Sequence, residues 1–197
     1  MSQNLKIINN LKKNINFQNG FFLEVGAHDG LFQSNTLYYE KELNWDGILI
    51  EPSFENYLKC LINRPNIKSI NCALTNNDYL KKNKTLLLDN NNSPMAKTKN
   101  FNFLNNLFGK NCINTNAISL DKLLKKLNIK KLDLLSLDVE GQELSVLQGI
   151  NFENVNVKFI CIEVWDNQKD QIFEFLKLRS NLYVLMEIFH LKNLLQN

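Results

Sequence analysis

Nine polar residues stand at the ends of apolar runs in this chain: Glu24, His28, Asp29, Glu51, Asn71, Asp138, Glu140, Glu163 and Asp166. Two chemistries call for such residues. A carboxylate closing a strand can accept both hydroxyls of a ribose through charge-assisted hydrogen bonds. Carboxylates paired across neighbouring strands can move a proton, because like-charge crowding lifts one of them toward neutral pH. FFLEVGAHDG at 21–30 and GILIEP at 47–52 carry the first pattern: an apolar strand into a glycine-bearing turn, then a second strand ending in Glu51. LLSLDVEG at 134–141 and CIEV at 161–164 carry the second. If strands 132–138 and 157–163 are adjacent, their ends lie about 5 Å apart and Asp138 neighbours Glu163. Asp138, Glu163 and Asp166 would alternatively hold Mg²⁺ or Mn²⁺, which takes oxygen ligands and acidifies a hydroxyl.

The elements that must position these residues follow from periodicity. Leu5, Ile8, Leu11 and Ile15 mark a helix over 3–16, in a leading segment 1–18. Residues 21–25, 47–51 and 67–73 read as strands, with helices over 34–43, where Ser34 is a candidate N-cap, and from Ser53 to Leu61, ended by Arg64-Pro65. Between 84 and 115 the pattern is irregular: a strand at 84–89, a DNNNSP loop at 89–94 and a short helix at 101–108. A strand at 116–120 leads into a helix over 121–127. Strands at 132–138, 157–164 and 182–189 then alternate with helices at 141–149, closed by Gly149, and 168–178, with a remnant at 191–195. Strands that are apolar throughout and alternate with helices predict an α/β fold, a mostly parallel sheet covered on both faces. Ligands of such sheets bind outside the carboxyl ends of the strands, at the switch point.

Composition narrows the partners. The 197 residues suit one large domain, 1–197, without internal repeat or linker. Net charge is +3, and the cations are 21 Lys and 2 Arg. Scarce Arg argues against nucleic acid as a partner, and the abundance of Lys and Asn reads as AT-rich coding. The four cysteines, Cys60, Cys72, Cys112 and Cys161, form no CxxC, and with two His a structural zinc is not expected. The opening MSQNLKIINNLKKN lacks a signal-peptide core and no run reaches a membrane span. These features predict a cytoplasmic protein with reduced thiols.

A dinucleotide fingerprint needs GxGxxG, but after Gly26 its second and third glycines are His28 and Leu31. This counts against a nicotinamide-dependent reductase, and no GK[ST] provides a P-loop. A phosphate-poor nucleoside with a charged amino-acid end, S-adenosylmethionine, fits the turn better. Glu24, Gly26 and Gly30 match the E-x-G-x-x-x-G spacing of the methyltransferase first motif.

At that point the chain resembles the FkbM family of class I S-adenosylmethionine-dependent methyltransferases. The matching segments are LEVGAHDGLFQSNTLYYEKELNWDGILIEP at 23–52, NCALTN at 71–76, ISLDKLL at 118–124, LLSLDVEGQELSVLQG at 134–149 and CIEV at 161–164. The resemblance implies a Rossmann-like sandwich. It further implies methylation of a hydroxyl on a sugar of a glycan, glycolipid or nucleotide sugar, or on a small natural product. A non-catalytic nucleoside-binding module is the reading from another class. A nucleic-acid methyltransferase would show a basic stripe or an NPPY-like motif, and neither is present.

By position, the resemblance places Gly26, Ala27 and His28 at the methionine end, with Glu24 anchoring the turn. Glu51 takes the ribose, Pro52, Ser53, Cys72 and Ala73 surround adenine, and Asp138 faces the reacting methyl. Asp138, Glu163 and Glu140 are the candidates for proton transfer, with Glu140 also a candidate helix cap. Glu143 reads as solvated or supporting, and His190 as a surface residue. The acceptor side is expected from 84–115 and the first helix, with Ser93, Met95, Phe101, Phe103, Leu107 and Phe108 as candidates. Class I enzymes usually finish with an antiparallel hairpin; only LKNLLQN follows LYVLMEIF here, so an edge completed by a second copy, a homodimer, is an expectation.

Overall fold

The computed structural model describes residues 11–89, 97–99, 112–165, 167–177 and 183–189. In chain order the elements are β1 (Phe21–Val25), α1 (Leu37–Leu43), β2 (Asp46–Ile50), α2 (Phe54–Asn63), β3 (Lys68–Ile70), β4 (Ala73–Leu74) and α3 (Asn77–Lys82). They continue with β5 (Thr85–Asp89), β6 (Lys97–Lys99), β7 (Cys112–Ile118), α4 (Leu120–Lys126), β8 (Lys131–Leu137), α5 (Glu143–Gln148), β9 (Asn156–Trp165), α6 (Lys169–Lys177) and β10 (Tyr183–Phe189). Six strands form one sheet in the order β10-β9-β8-β1-β2-β3, and every pairing in it is parallel. The order reverses direction between β1 and β8, which opens the crevice where such sheets bind ligands.

Both faces of the sheet are covered, which is why its strands are apolar throughout. Leu23, Val25, Ile48, Ile50, Leu135, Leu137, Ile160, Ile162 and Val164 pack against α4, α5 and α6 through Leu120, Leu124, Val146, Leu147, Ile172 and Leu176. Phe22, Leu49, Leu134, Phe159 and Cys161 face the other way, onto Leu11, Ile15, Tyr39, Trp45 and Cys60. Side chains alternate along a strand, so Glu24, Glu51, Asp138 and Glu163 belong to this second face. Residues 11–14 are helical on that side, with Leu11 and Ile15 buried.

Three boundaries near the site differ from expectation. The strand expected over 67–73 breaks after Ile70, because Asn71 Nδ2 donates to the carbonyls of Glu51 (2.9 Å) and Pro52 (3.0 Å). The chain then leaves the main sheet, and β4 joins an unanticipated smaller sheet ordered β4-β7-β5-β6. The helix expected from 34 begins at Leu37, because the hydroxyls of Ser34 and Thr36 are turned onto Glu24. The helix expected from 141 begins at Glu143, because Glu140 (φ 53°) and Gly141 (φ 92°) are both left-handed. Gly149 does close that helix, but at φ −84°. Glycine is required there for space, since a Cβ would lie 2.5 Å from the Thr75 carbonyl oxygen.

The expected strand at 182–189 is β10, parallel to β9 along its length. Leu5, Ile8, the loop after Asp89, the helix expected at 101–108 with its phenylalanines, Ser93, Met95, His190 and the remnant at 191–195 lie outside the described residues.

Candidate active site

Register places the candidate residues in one row. Val25 pairs with Ile50 on one side and Leu137 on the other, and Leu137 pairs with Ile162. One step beyond these pairs, Glu51, Gly26, Asp138 and Glu163 follow one another across the carboxyl edge. Glu51 and Asp138 flank Gly26 at two strand spacings, about 10 Å apart.

Gly26 has φ 84°, and a Cβ there would lie 1.7 Å from the Asp138 carbonyl oxygen. The turn must be bare for β1 and β8 to close. The amides of Gly26 and Ala27 both donate to the Ile50 carbonyl, at 3.0 and 3.1 Å, and that of Gly30 to Ala27 at 2.8 Å. His28 stands where related turns carry glycine, yet it adopts the glycine conformation, at φ 50°, a strain of order 1 kcal/mol. Two bonds hold it there: its amide donates to Glu51 Oε2 at 2.8 Å, and Cys60 Sγ donates to its carbonyl at 3.0 Å. Its Nδ1 lies 3.6 Å from Asp29 Oδ1, and its ring lies 5.4 Å from that of Phe32.

Glu51 closes the far side of the turn. Its other oxygen accepts the Ser53 amide at 2.8 Å. The side chain is buried, and burial pushes its carboxyl up to about 7 against the pull of the two amides. Each carboxylate oxygen keeps a second lone pair, so two further donors fit without breaking either amide bond. Ser53 also caps α2, its side chain accepting from the Asn56 amide at 3.5 Å. Cys72 lies in the core of the sheet's first face with its thiol raised to about 11 by burial, and Ala73 is buried in β4. Their side chains are packing; only their backbone can face a ligand.

Glu24 has a fuller role than a strand-end acid. Its carboxylate accepts from Ser34 Oγ (2.9 Å), the Asn35 amide (3.0 Å), Thr36 Oγ1 (2.6 Å) and Arg64 Nη1 (3.1 Å). Arg64 is fully buried. Its guanidinium also bonds Glu40 through Nε, Ser34 Oγ (3.1 Å), Thr36 Oγ1 (3.0 Å) and the Gly30 carbonyl (3.5 Å). One side chain thus joins the end of α2 to the glycine turn and the start of α1. Sequence reading took Arg64 only as a helix terminator. The available signal was a lone Arg inside a Lys-rich region, because the planar fork that serves several acceptors is one Lys lacks.

The Asp138 and Glu163 carboxyls share a hydrogen bond, as the register requires. Asp138 is raised above the usual carboxylate range, chiefly by burial and further by the charge of Glu24, while the bond to Glu163 and nearby His28 pull it down. Crowding two carboxyls in this way lifts one of them above the usual range, which is how an acid pair acquires a base suited to neutral pH.

Glu140, in its left-handed conformation, is not the N-cap of α5; Gln142 holds that position without a side-chain capping bond. Of the two readings of Glu143, solvated or supporting, its full burial excludes the first. Its Oε1 accepts the amides of Val139 (3.2 Å) and Gly141 (3.0 Å), pinning the loop that follows Asp138. Burial pushes its carboxyl to about 7, and the charge of Asp138 adds to the rise. Gln168 Nε2 braces the same loop at the Gly141 carbonyl, 2.8 Å away. Asp166 lies outside the described residues, and among those described no cluster of three His, Cys, Asp or Glu side chains could hold a metal ion.

Comparison with known proteins places this arrangement. No curated protein matches the chain. A solved structure, the methyltransferase FkbM of Methylobacillus flagellatus KT, aligns with 14% identity and a TM-score of 0.40. The alignment covers 68% of this chain and 30% of that one, so this chain spans under a third of that protein's length. The model of the methyltransferase FkbM domain matches residues 24–189, from the anchor of the glycine turn to the end of β10. The chain belongs to the FkbM methyltransferase domain family.

Proposed function

We propose that this chain is an S-adenosylmethionine-dependent O-methyltransferase whose acceptor is a hydroxyl on a sugar of a glycan, glycolipid or nucleotide sugar. The observation that carries the reading is the row at the carboxyl edge: Glu51 on one side of the bare Gly26 turn, the Asp138–Glu163 pair on the other. The residues present fit the methyl donor. Glu51 offers lone pairs to two ribose hydroxyls from a carboxylate already oriented by two amides. The turn from Gly26 to His28 offers backbone to the amino-acid end, and Pro52 and Ser53 border the adenine side.

When bound, S-adenosylmethionine supplies a methyl group on a sulfonium, already activated for displacement. The chain's task is then to orient an acceptor hydroxyl and take its proton. Asp138 and Glu163 are suited to that proton, being neighbouring carboxyls with Asp138 raised chiefly by burial. Glu143 and Gln168 hold the loop that presents them, and Arg64 holds the glycine turn from behind. Among the described residues no helix is long and apolar enough to cross a membrane.

The test is a methyl-transfer screen with labelled S-adenosylmethionine over nucleotide sugars, short glycans, glycolipids and small phenols. Transfer to a sugar hydroxyl supports the proposal; transfer confined to non-sugar acceptors overturns its acceptor half.

A further inference from the structure

The strand β9 outruns its neighbour. It pairs with β8 only as far as Leu137↔Ile162, but with β10 as far as Phe189↔Trp165. Two residues of β9, Val164 and Trp165, therefore rise above the row of candidate side chains, about 7 Å at a strand's rise per residue. Val164 turns into the buried core of the sheet's first face. Glu163 and Trp165 alternate with it and share the opposite face, the one on which Asp138 lies. Trp165 stands two residues, about 7 Å, above the acid pair.

The two tryptophans of the chain differ in setting. Trp45 is core: it is 3% exposed, stacks with Phe17 and Tyr39, and donates its Nε1 to the Phe17 carbonyl at 2.8 Å. Trp165 is only partly buried, at the rim of the crevice.

We infer that Trp165 is a specificity residue of the acceptor subsite, a flat apolar wall against which the C–H face of a sugar ring packs while one hydroxyl reaches the Asp138–Glu163 pair. The inference rests on the sugar reading proposed above. An indole suits this task because it presents a large rigid apolar face at little cost in side-chain entropy. A ring laid on it is held broadside, with its hydroxyls directed along the wall toward the acids below.

The experiment compares wild type, Trp165→Phe and Trp165→Leu with the sugar acceptor found by the methyl-transfer screen. Trp165→Leu is expected to raise the acceptor KM about tenfold, and Trp165→Phe is expected to fall between it and wild type. The affinity for S-adenosylmethionine, measured by calorimetry, should be unchanged in both. Tryptophan emission of wild type should respond to the acceptor with the same saturation as turnover, and the response should vanish in Trp165→Phe, which keeps only Trp45. An unchanged acceptor KM in Trp165→Leu, or wild-type emission indifferent to saturating acceptor, would overturn the inference and leave the sugar reading standing. A wild type that methylates only non-sugar acceptors would overturn both.

Discussion

Replacing Glu143 with Gln should stabilise the protein at pH 8 and weaken it at pH 5. Glu143 is 0% exposed, and its Oε2 has no hydrogen-bond partner among the described residues. Its carboxyl is raised from 4.5 to about 7. An acid held above its unfolded value contributes stability that is complete below about 4.5 and is lost as pH rises through about 7. The difference corresponds to about 3 kcal/mol. In Glu143→Gln the amide oxygen can keep both bonds to Val139 and Gly141, and the NH₂ takes the place of the unpartnered oxygen. Its unmet donors cost about 1–2 kcal/mol at any pH. The variant should then exceed wild type by about 1–2 kcal/mol at pH 8 and trail it by up to about 1 kcal/mol at pH 5. The swing between the two, about 2.5 kcal/mol, does not depend on the amide penalty. Urea unfolding at both pH values, with unchanged m, reads it directly. A stability difference that stays the same at pH 5 and pH 8 would refute the reasoning, as would a swing of opposite sign.

Three further expectations follow from the same contacts. Arg64→Met leaves Glu24 buried without its cation and Glu40 with Lys41 alone, and should cost about 3–5 kcal/mol in urea unfolding at pH 7; Arg64→Lys, lacking the fork, should recover only part. Gly26→Ala, with its Cβ driven to 1.7 Å from a backbone oxygen, should leave any folded protein without measurable S-adenosylmethionine binding by calorimetry. Asp138→Asn should keep that binding within about threefold yet lower kcat by about a hundredfold or more in the methyl-transfer assay; unchanged turnover would remove Asp138 from the mechanism.

The main sheet was legible in the sequence because burial on both faces leaves a simple mark, nearly continuous apolar runs such as LDLLSLD and VKFICIEV. Once those strands were adjacent and parallel, the meeting of Asp138 with Glu163 was a matter of register alone. What stayed hidden depends on partners distant in sequence. Arg64 meets Glu24 across 40 residues, and nothing local to NRPN announces it. For Glu143 solvated and supporting readings stay open in the sequence, because a periodicity argument cannot see a backbone loop folding over its carboxylate. Ser34 does accept the amides of Thr36 and Leu37 as a cap would, but only the position of Glu24 shows where its hydroxyl and that of Thr36 donate. The departure of β4 to a second sheet turns on the Asn71 amide, whose two acceptors lie 19 and 20 residues back.

The central claim is that the row flanking Gly26 is a methyl-donor site. Calorimetry with S-adenosylmethionine, S-adenosylhomocysteine and NAD, on wild type and Glu51→Ala, tests it most directly. The account requires wild type to bind both sulfur nucleosides, Glu51→Ala to lose at least about tenfold in affinity for each, and NAD to give no heat. Binding of NAD without response to the other two would contradict it.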